Sequence, residues 1–212
     1  MELTALEQFY YDHINANRAE HEKSGKEALD YLEHSTAKYH GKTIYSLYVP
    51  KLLNEQTVEV FRNTAETMAG IMRKVIVEYR ENEAYRALFG FDKEVEQLII
   101  HDPLYENVLP VCRVDIFYNE ADGSFYFCEL NTDGSSSMNE DRELCIAFEK
   151  TLLCKELSKQ FEVKGFELFD SLASAFLKNY KTYPYHVENP NVAVVDFLEL
   201  GCSLEEFKQF AI

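Results

Sequence analysis

The chain has 212 residues, 46% of them hydrophobic, with 14 Tyr and 15 Phe, enough to fill one large core or two small ones. A formal net charge of −16 argues against a nucleic acid partner, which needs a basic face, and is unfavourable on an anionic membrane. No uncharged apolar run reaches the roughly 18 residues of a membrane span, and the five cysteines, odd in number and without C-x-x-C spacing, read as free thiols of a reducing compartment.

Helical patterning dominates the first hundred residues. The N-terminus lacks the basic and apolar regions of a signal peptide, so a cytoplasmic protein is expected. Residues 3–22 form the first candidate helix. Ser24-Gly25-Lys26-Glu27 has the S-x-x-E spacing of a capping box, so a second helix is expected from there to about Gly41. Asn54 can cap a long helix reaching about Arg80, with Val58, Phe61, Ala65, Met68, Met72, Val75 and Val77 as its apolar positions. Shorter helical pieces are expected at 83–89 and 93–100, and His101-Asp102-Pro103 ends the pattern. The six histidines show no clear i, i+4 ligand pair and are expected at the surface or in satisfied positions.

The stretch 111–140 carries the chemistry. Residues 111–118 and 124–131 are rich in Val, Ile, Phe and Tyr and have polar residues at every second position, the period of a strand with two unlike faces. Asn119-Glu120-Ala121-Asp122-Gly123 between them has turn composition. A three-residue loop, Ala121-Asp122-Gly123, would pair Asp115 with Glu129 and Arg113 with Asn131, all on one face. A two-residue loop would put Asp115 and Glu129 on opposite faces, so the reading requires a loop of the three-residue parity. Two opposed carboxylates repel, and a hard cation removes that cost. Asp115, Glu129 and Asn131 offer the oxygen donors that Mg²⁺ takes alongside water and phosphate. Arg113 suits a phosphate or carboxylate. The bland alternative is a solvated hairpin face with Arg113 paired across it. Cys112 and Cys128 would lie on the opposite face as buried packing residues. The small polar run 132–137 can present N–H groups and hydroxyls to an anion, although Ser137-Met138-Asn139-Glu140 also fits a capping box.

R-V-D-I-F followed by C-E-L-N-T-D-G-S-S-S-M-N-E resembles the R-x-D … E-x-N-x-D-x-x-S-x-x-x-E signature of the glutathionylspermidine synthase family, circularly permuted ATP-grasp ligases. The resemblance implies an ATP- and Mg²⁺-dependent carboxylate–amine ligase that works through an acyl phosphate. It implies Asp115, Glu129 and Asn131 as the metal ligands. It gives Arg113 the catalytic role of binding the reacting carboxylate and transferred phosphate, and places Ser136, with Ser135 beside it, in the acceptor-peptide pocket. The implied partners are a small peptide or thiol-peptide carboxylate and a polyamine or other amine. Gly134 stands where the family often has serine. No Walker A loop, G-x-S-x-G, G-x-G-x-x-G or H-E-x-x-H competes with this reading.

Beyond the motif, 139–160 and 166–180 read as helices. Residues 191–197 read as a buried strand, and Ser203-Leu204-Glu205-Glu206 as a capping box opening a further helix. The expected fold is α+β and helix-rich. Residues 1–186 would form a domain carrying the hairpin (111–131) in a small mixed sheet and the substrate loop (132–140). Residues 187–212 would begin an α/β unit of pre-ATP-grasp type. The chain would then be the N-terminal part of a longer protein, with the ATP-gripping residues beyond Ile212. The alternative function is a non-catalytic metal- or ligand-binding module that keeps the hairpin. A hydrolase using Asp115 and Glu129 as an acid–base pair is weaker, because nothing in the sequence sets their environments apart.

Overall fold

The computed structural model describes residues 3–39, 41–43, 48–132, 135–195 and 205–211. Helices α1 (Leu3–Ala16) and α2 (Arg18–His34) meet at a corner formed by Asn17, whose backbone is non-helical and whose side-chain amide donates to the His13 carbonyl at 3.2 Å. The break lies at Asn17 rather than at Ser24. Ser24 is buried within α2, and its hydroxyl oxygen accepts the Leu152 N–H at 2.8 Å, so it serves a distant element rather than a helix start. Gly25 follows for a steric reason: a Cβ there would lie 3.3 Å from the Tyr48 ring, which packs on α2.

A short antiparallel pair, β1 (Lys38–Tyr39) and β2 (Lys42–Thr43), leads to α3 (Glu55–Glu81). Asn54 caps α3 as expected, its side-chain oxygen accepting the Thr57 N–H at 2.8 Å. Asn82 and Asp92 cap α4 (Glu83–Arg86) and α5 (Lys93–Ile100) in the same way. The hairpin β3 (Arg113–Tyr118) and β4 (Phe125–Asn131) follows.

The helix expected over 139–160 is divided into α6 (Met138–Glu149) and α7 (Leu152–Leu157). Buried Thr151 makes the division: its hydroxyl donates to the Phe148 carbonyl at 2.6 Å and accepts the Cys154 N–H at 3.1 Å. Next come α8 (Phe169–Tyr180) and a 3₁₀ turn, Glu205–Ala211.

The core gathers where α1, α2, α6 and α7 meet. Tyr10, Leu153 and Leu157 form one buried cluster, flanked by Leu6, Phe9, Tyr48, Val49, Leu52 and Phe148. Ala28, Leu32 and Ala147 form a second between α2 and α6. Burying a leucine fully contributes about 1.5–3 kcal/mol, so α7 with its two buried leucines is a keystone.

The architecture is α+β and helix-rich, as expected. Among the described residues, however, the two sheets are separate two-stranded antiparallel pairs rather than parts of a mixed sheet. Residues 191–195 are exposed and irregular, with Val195 at 90% exposure. No described strand lies beside them to satisfy a ladder, and periodicity alone could not reveal that. Asp196, Phe197 and the Ser203 capping box lie outside the described residues.

Candidate functional site

β3 and β4 pair Arg113 with Asn131, Val114 with Leu130 and Asp115 with Glu129. The expected pairing is present, but the turn is not the expected one. Asn119 N–H donates to the Ser124 carbonyl and Gly123 N–H to the Asn119 carbonyl, both at 2.8 Å. The loop is therefore the four residues Glu120-Ala121-Asp122-Gly123, with Gly123 at φ +73°. Asp122 stiffens it: one carboxylate oxygen accepts from the Ser124 N–H at 2.9 Å and from its hydroxyl at 2.6 Å, which holds the carboxyl below its usual range.

From this turn the ladder runs Tyr118–Phe125, Phe117–Tyr126 and Ile116–Phe127. Continued without interruption, that register would place Glu129 opposite Val114, on the wrong face. The ladder instead shifts between Asp115 and Ile116, and Cys128 is the extra residue of a β-bulge. The bulge restores the parity that the loop lacks. Cys128 is accordingly exposed, not a buried packing residue, while Cys112 is half-buried.

On the resulting face, Arg113 Nε donates to Asp115 Oδ1 at 2.9 Å. Their side chains are 38% and 34% exposed. The Asn131 amide donates to Glu129 Oε1 at 3.1 Å. Arg113, Asp115, Glu129 and Asn131 thus form one row of opposed and adjacent polar side chains, open to solvent. Phe117 and Tyr126 extend the row towards the turn as a direct cross-strand pair, 68% and 77% exposed. Sequence reasoning missed them. Phe117 shares the parity of Arg113 and Asp115, but the face of Tyr126 follows only once the bulge is known.

The other face of β3 packs on α3. The rings of Phe61 and Tyr118 meet edge to face at 5.0 Å. Between the two elements runs an open groove of about 810 Å³, with Thr64, Cys112 and Val114 among its lining residues. Lys51 lies at its end and forms ion pairs with Glu120 of the turn and with Glu7 of α1.

The loop after β4 is only partly as expected. The Ser135 hydroxyl donates to the Asn131 carbonyl at 3.0 Å, which ties the loop to the end of β4. Ser136 is exposed. Asp133 and Gly134 lie outside the described residues. Ser137 does not form the expected capping box. Its backbone is left-handed at φ +80° and its side chain makes no capping bond, since a cap needs an extended backbone to aim the hydroxyl at the first turn. Asn139 and Glu140 are instead buried, with the Asn139 side-chain oxygen accepting the Thr36 hydroxyl at 3.1 Å.

Among the described residues, no three His, Cys, Asp or Glu side chains are grouped to hold a metal by themselves, and the row supplies two carboxylates and an amide. None of their helices is long and apolar enough to cross a membrane. No family model matches the chain, and neither a curated protein nor a solved structure does.

Proposed function

We propose that the chain carries the metal- and substrate-facing part of an ATP- and Mg²⁺-dependent carboxylate–amine ligase, of the kind represented by glutathionylspermidine synthase. One observation carries this reading: Asp115 stands directly opposite Glu129, with Arg113 and Asn131 as the next pair in the row.

The donor chemistry fits the ion. Mg²⁺ is usually held by one or two carboxylates together with water and substrate phosphates, so two carboxylates and an amide on an open strand face are a sufficient protein share. Asp115, Glu129 and Asn131 would be its ligands. When bound, the ion supplies charge neutralisation on a transferring phosphoryl group.

The remaining residues would act by position and charge. Arg113 is already fixed in the row by its ion pair with Asp115, and its guanidinium presents paired N–H donors to the reacting carboxylate or the phosphoryl oxygens. Holding the two in line would favour attack of the carboxylate oxygen on the γ-phosphorus of ATP, with the bond to the bridging oxygen breaking and ADP leaving as the acyl phosphate forms. Ser135 would hold the loop against β4, leaving exposed Ser136 to contact the acceptor peptide. The acceptor would be a peptide or thiol-peptide carboxylate and the nucleophile a polyamine or other amine. Cys112, Cys128, Cys145 and Cys154 are all free, which supports a reducing, cytoplasmic setting.

The test is ADP release by the protein from the complete reading frame, with Mg²⁺, glutathione and a panel of polyamines. Release that requires an amine and disappears in Asp115→Ala and Glu129→Ala supports the ligase. A folded protein that turns over nothing across the panel favours the binding-module reading.

A further inference from the structure

The corner between α1 and α2 brings together two histidines eight residues apart. His13 Nδ1 lies 2.8 Å from His21 Nε2, with the ring planes at 90°. His21 Nδ1 lies 2.7 Å from the Tyr48 hydroxyl oxygen. His13 Nε2 faces Glu156 of α7 at 3.8 Å, and Glu156 is also bound by Lys159 at 2.6 Å. His21 is 3% exposed. The four groups form a continuous chain, Glu156–His13–His21–Tyr48, that ties together α1, α2, α7 and the segment at Tyr48.

We propose that this chain is a one-proton switch, in which uptake of a single proton reverses the direction of every hydrogen bond between Tyr48 and His13 while the corner stays closed. In the neutral pair each ring has one N–H. Tyr48 O–H donates to His21 Nδ1, His21 Nε2–H donates to His13 Nδ1, and His13 Nε2–H points at Glu156. On acidification the Tyr48 oxygen takes a solvent proton and passes its own to His21 Nδ1. His21 passes its Nε2 proton to His13 Nδ1. The net change is one added proton. The charge comes to rest on His13, beside the Glu156 carboxylate, and buried His21 stays neutral as the opposite tautomer, now donating to Tyr48.

A second proton has no place in this geometry. With both rings charged, two N–H groups would meet across 2.8 Å with no acceptor between them. The His13–His21 contact must then open, beside the Tyr10–Leu153–Leu157 cluster against which Phe9, Tyr48 and Leu52 pack. The electrostatics agree. Burial and then the neighbouring His13 lower the His21 pKa, against the opposing influence of Glu20 on its own helix and Glu156 on α7. A histidine depressed in the fold binds fewer protons folded than unfolded. Stability is therefore lost as pH falls from about 6.5, the ordinary imidazole value, towards the lowered one.

The test is ¹⁵N NMR of the imidazole nitrogens of the 212-residue protein between pH 8 and 5. The switch requires a ¹⁵N–¹⁵N coupling through the hydrogen bond between the two rings. It also requires His21 to invert from the Nε2–H to the Nδ1–H tautomer as His13 becomes charged. In Tyr48→Phe the inversion should be abolished, because the Nδ1–H loses its acceptor. Absence of the coupling, or a His21 tautomer that ignores pH in the parent protein, would overturn the proposal. So would an inversion that persists in a folded Tyr48→Phe. Should that variant fail to fold, the two parent-protein readouts decide.

Discussion

Replacing Glu129 with glutamine should change stability in opposite directions with and without a divalent cation. Asp115 and Glu129 are directly opposed, so their Cβ atoms are roughly 4.5–5.5 Å apart and their charges repel. Asp115 has the Arg113 guanidinium at 2.9 Å to offset that repulsion, whereas Glu129 accepts an amide hydrogen bond from Asn131 at 3.1 Å, which a glutamine oxygen would keep. Removing the charge of Glu129 therefore relieves repulsion at little other cost. A like-charged opposed pair is unfavourable by about 0.2–1 kcal/mol, and this face is open to water, so the lower half of the range applies. At about 2–4 °C per kcal/mol for a chain of this size, Glu129→Gln should melt about 0.4–2.4 °C higher than the parent in EDTA. In Mg²⁺ at about a hundredfold over its Kd, the parent should gain about 2.7 kcal/mol and overtake the variant. Circular-dichroism melts in EDTA and across an Mg²⁺ series read both effects. A variant less stable than the parent in EDTA, or melting temperatures that rise equally in Mg²⁺, would refute the argument.

Leu153→Ala removes a side chain with 0% exposure from the central cluster and should cost about 2–5 kcal/mol, read from the urea midpoint; a loss below about 1 kcal/mol would place the cooperative core elsewhere. Exposed Cys128 should react with a thiol reagent at neutral pH well before buried Cys154 and before Cys145, whose thiol burial pushes up to about 11; equal rates would contradict the bulge assignment. Burial raises the pKa of the Glu206 carboxyl, so the folded state holds that proton more tightly than the unfolded chain. The cost of ionising it is absent below about pH 4, the ordinary carboxylate range, and grows as pH rises above it. Glu206→Gln should then be more stable than the parent at pH 7 and equal to it near pH 4, and a difference independent of pH would reject this.

What the sequence revealed depended on whether the signal was local. Asn54 could be read as a cap because the side chain bonds three residues ahead, within its own helix. The same logic misled at Ser24 and Ser137, where identical spacing occurs without a cap. Ser24 is committed to an N–H more than a hundred residues away, and Ser137 has a left-handed backbone. The row of Arg113, Asp115, Glu129 and Asn131 was legible from alternation, yet it forms because a four-residue loop and a bulge at Cys128 cancel in parity. Alternation in two strands says nothing about where an extra residue sits. The His13–His21 contact crosses a helix break at Asn17, so a search for histidines four apart on one helix could not find it. The apolar run at 191–195 shows the complementary limit, since a strand needs a partner that composition cannot supply.

The measurement that bears most directly on the proposed site uses Mn²⁺ as a paramagnetic stand-in for Mg²⁺, with the backbone amides of the ¹⁵N-labelled chain as reporters. If the row holds the ion, the amides of Asp115, Glu129 and Asn131 broaden first, excess Mg²⁺ restores them, and Asp115→Asn combined with Glu129→Gln abolishes the effect. Broadening spread evenly over the acidic surface, or centred away from the bulged end of the hairpin, would contradict it.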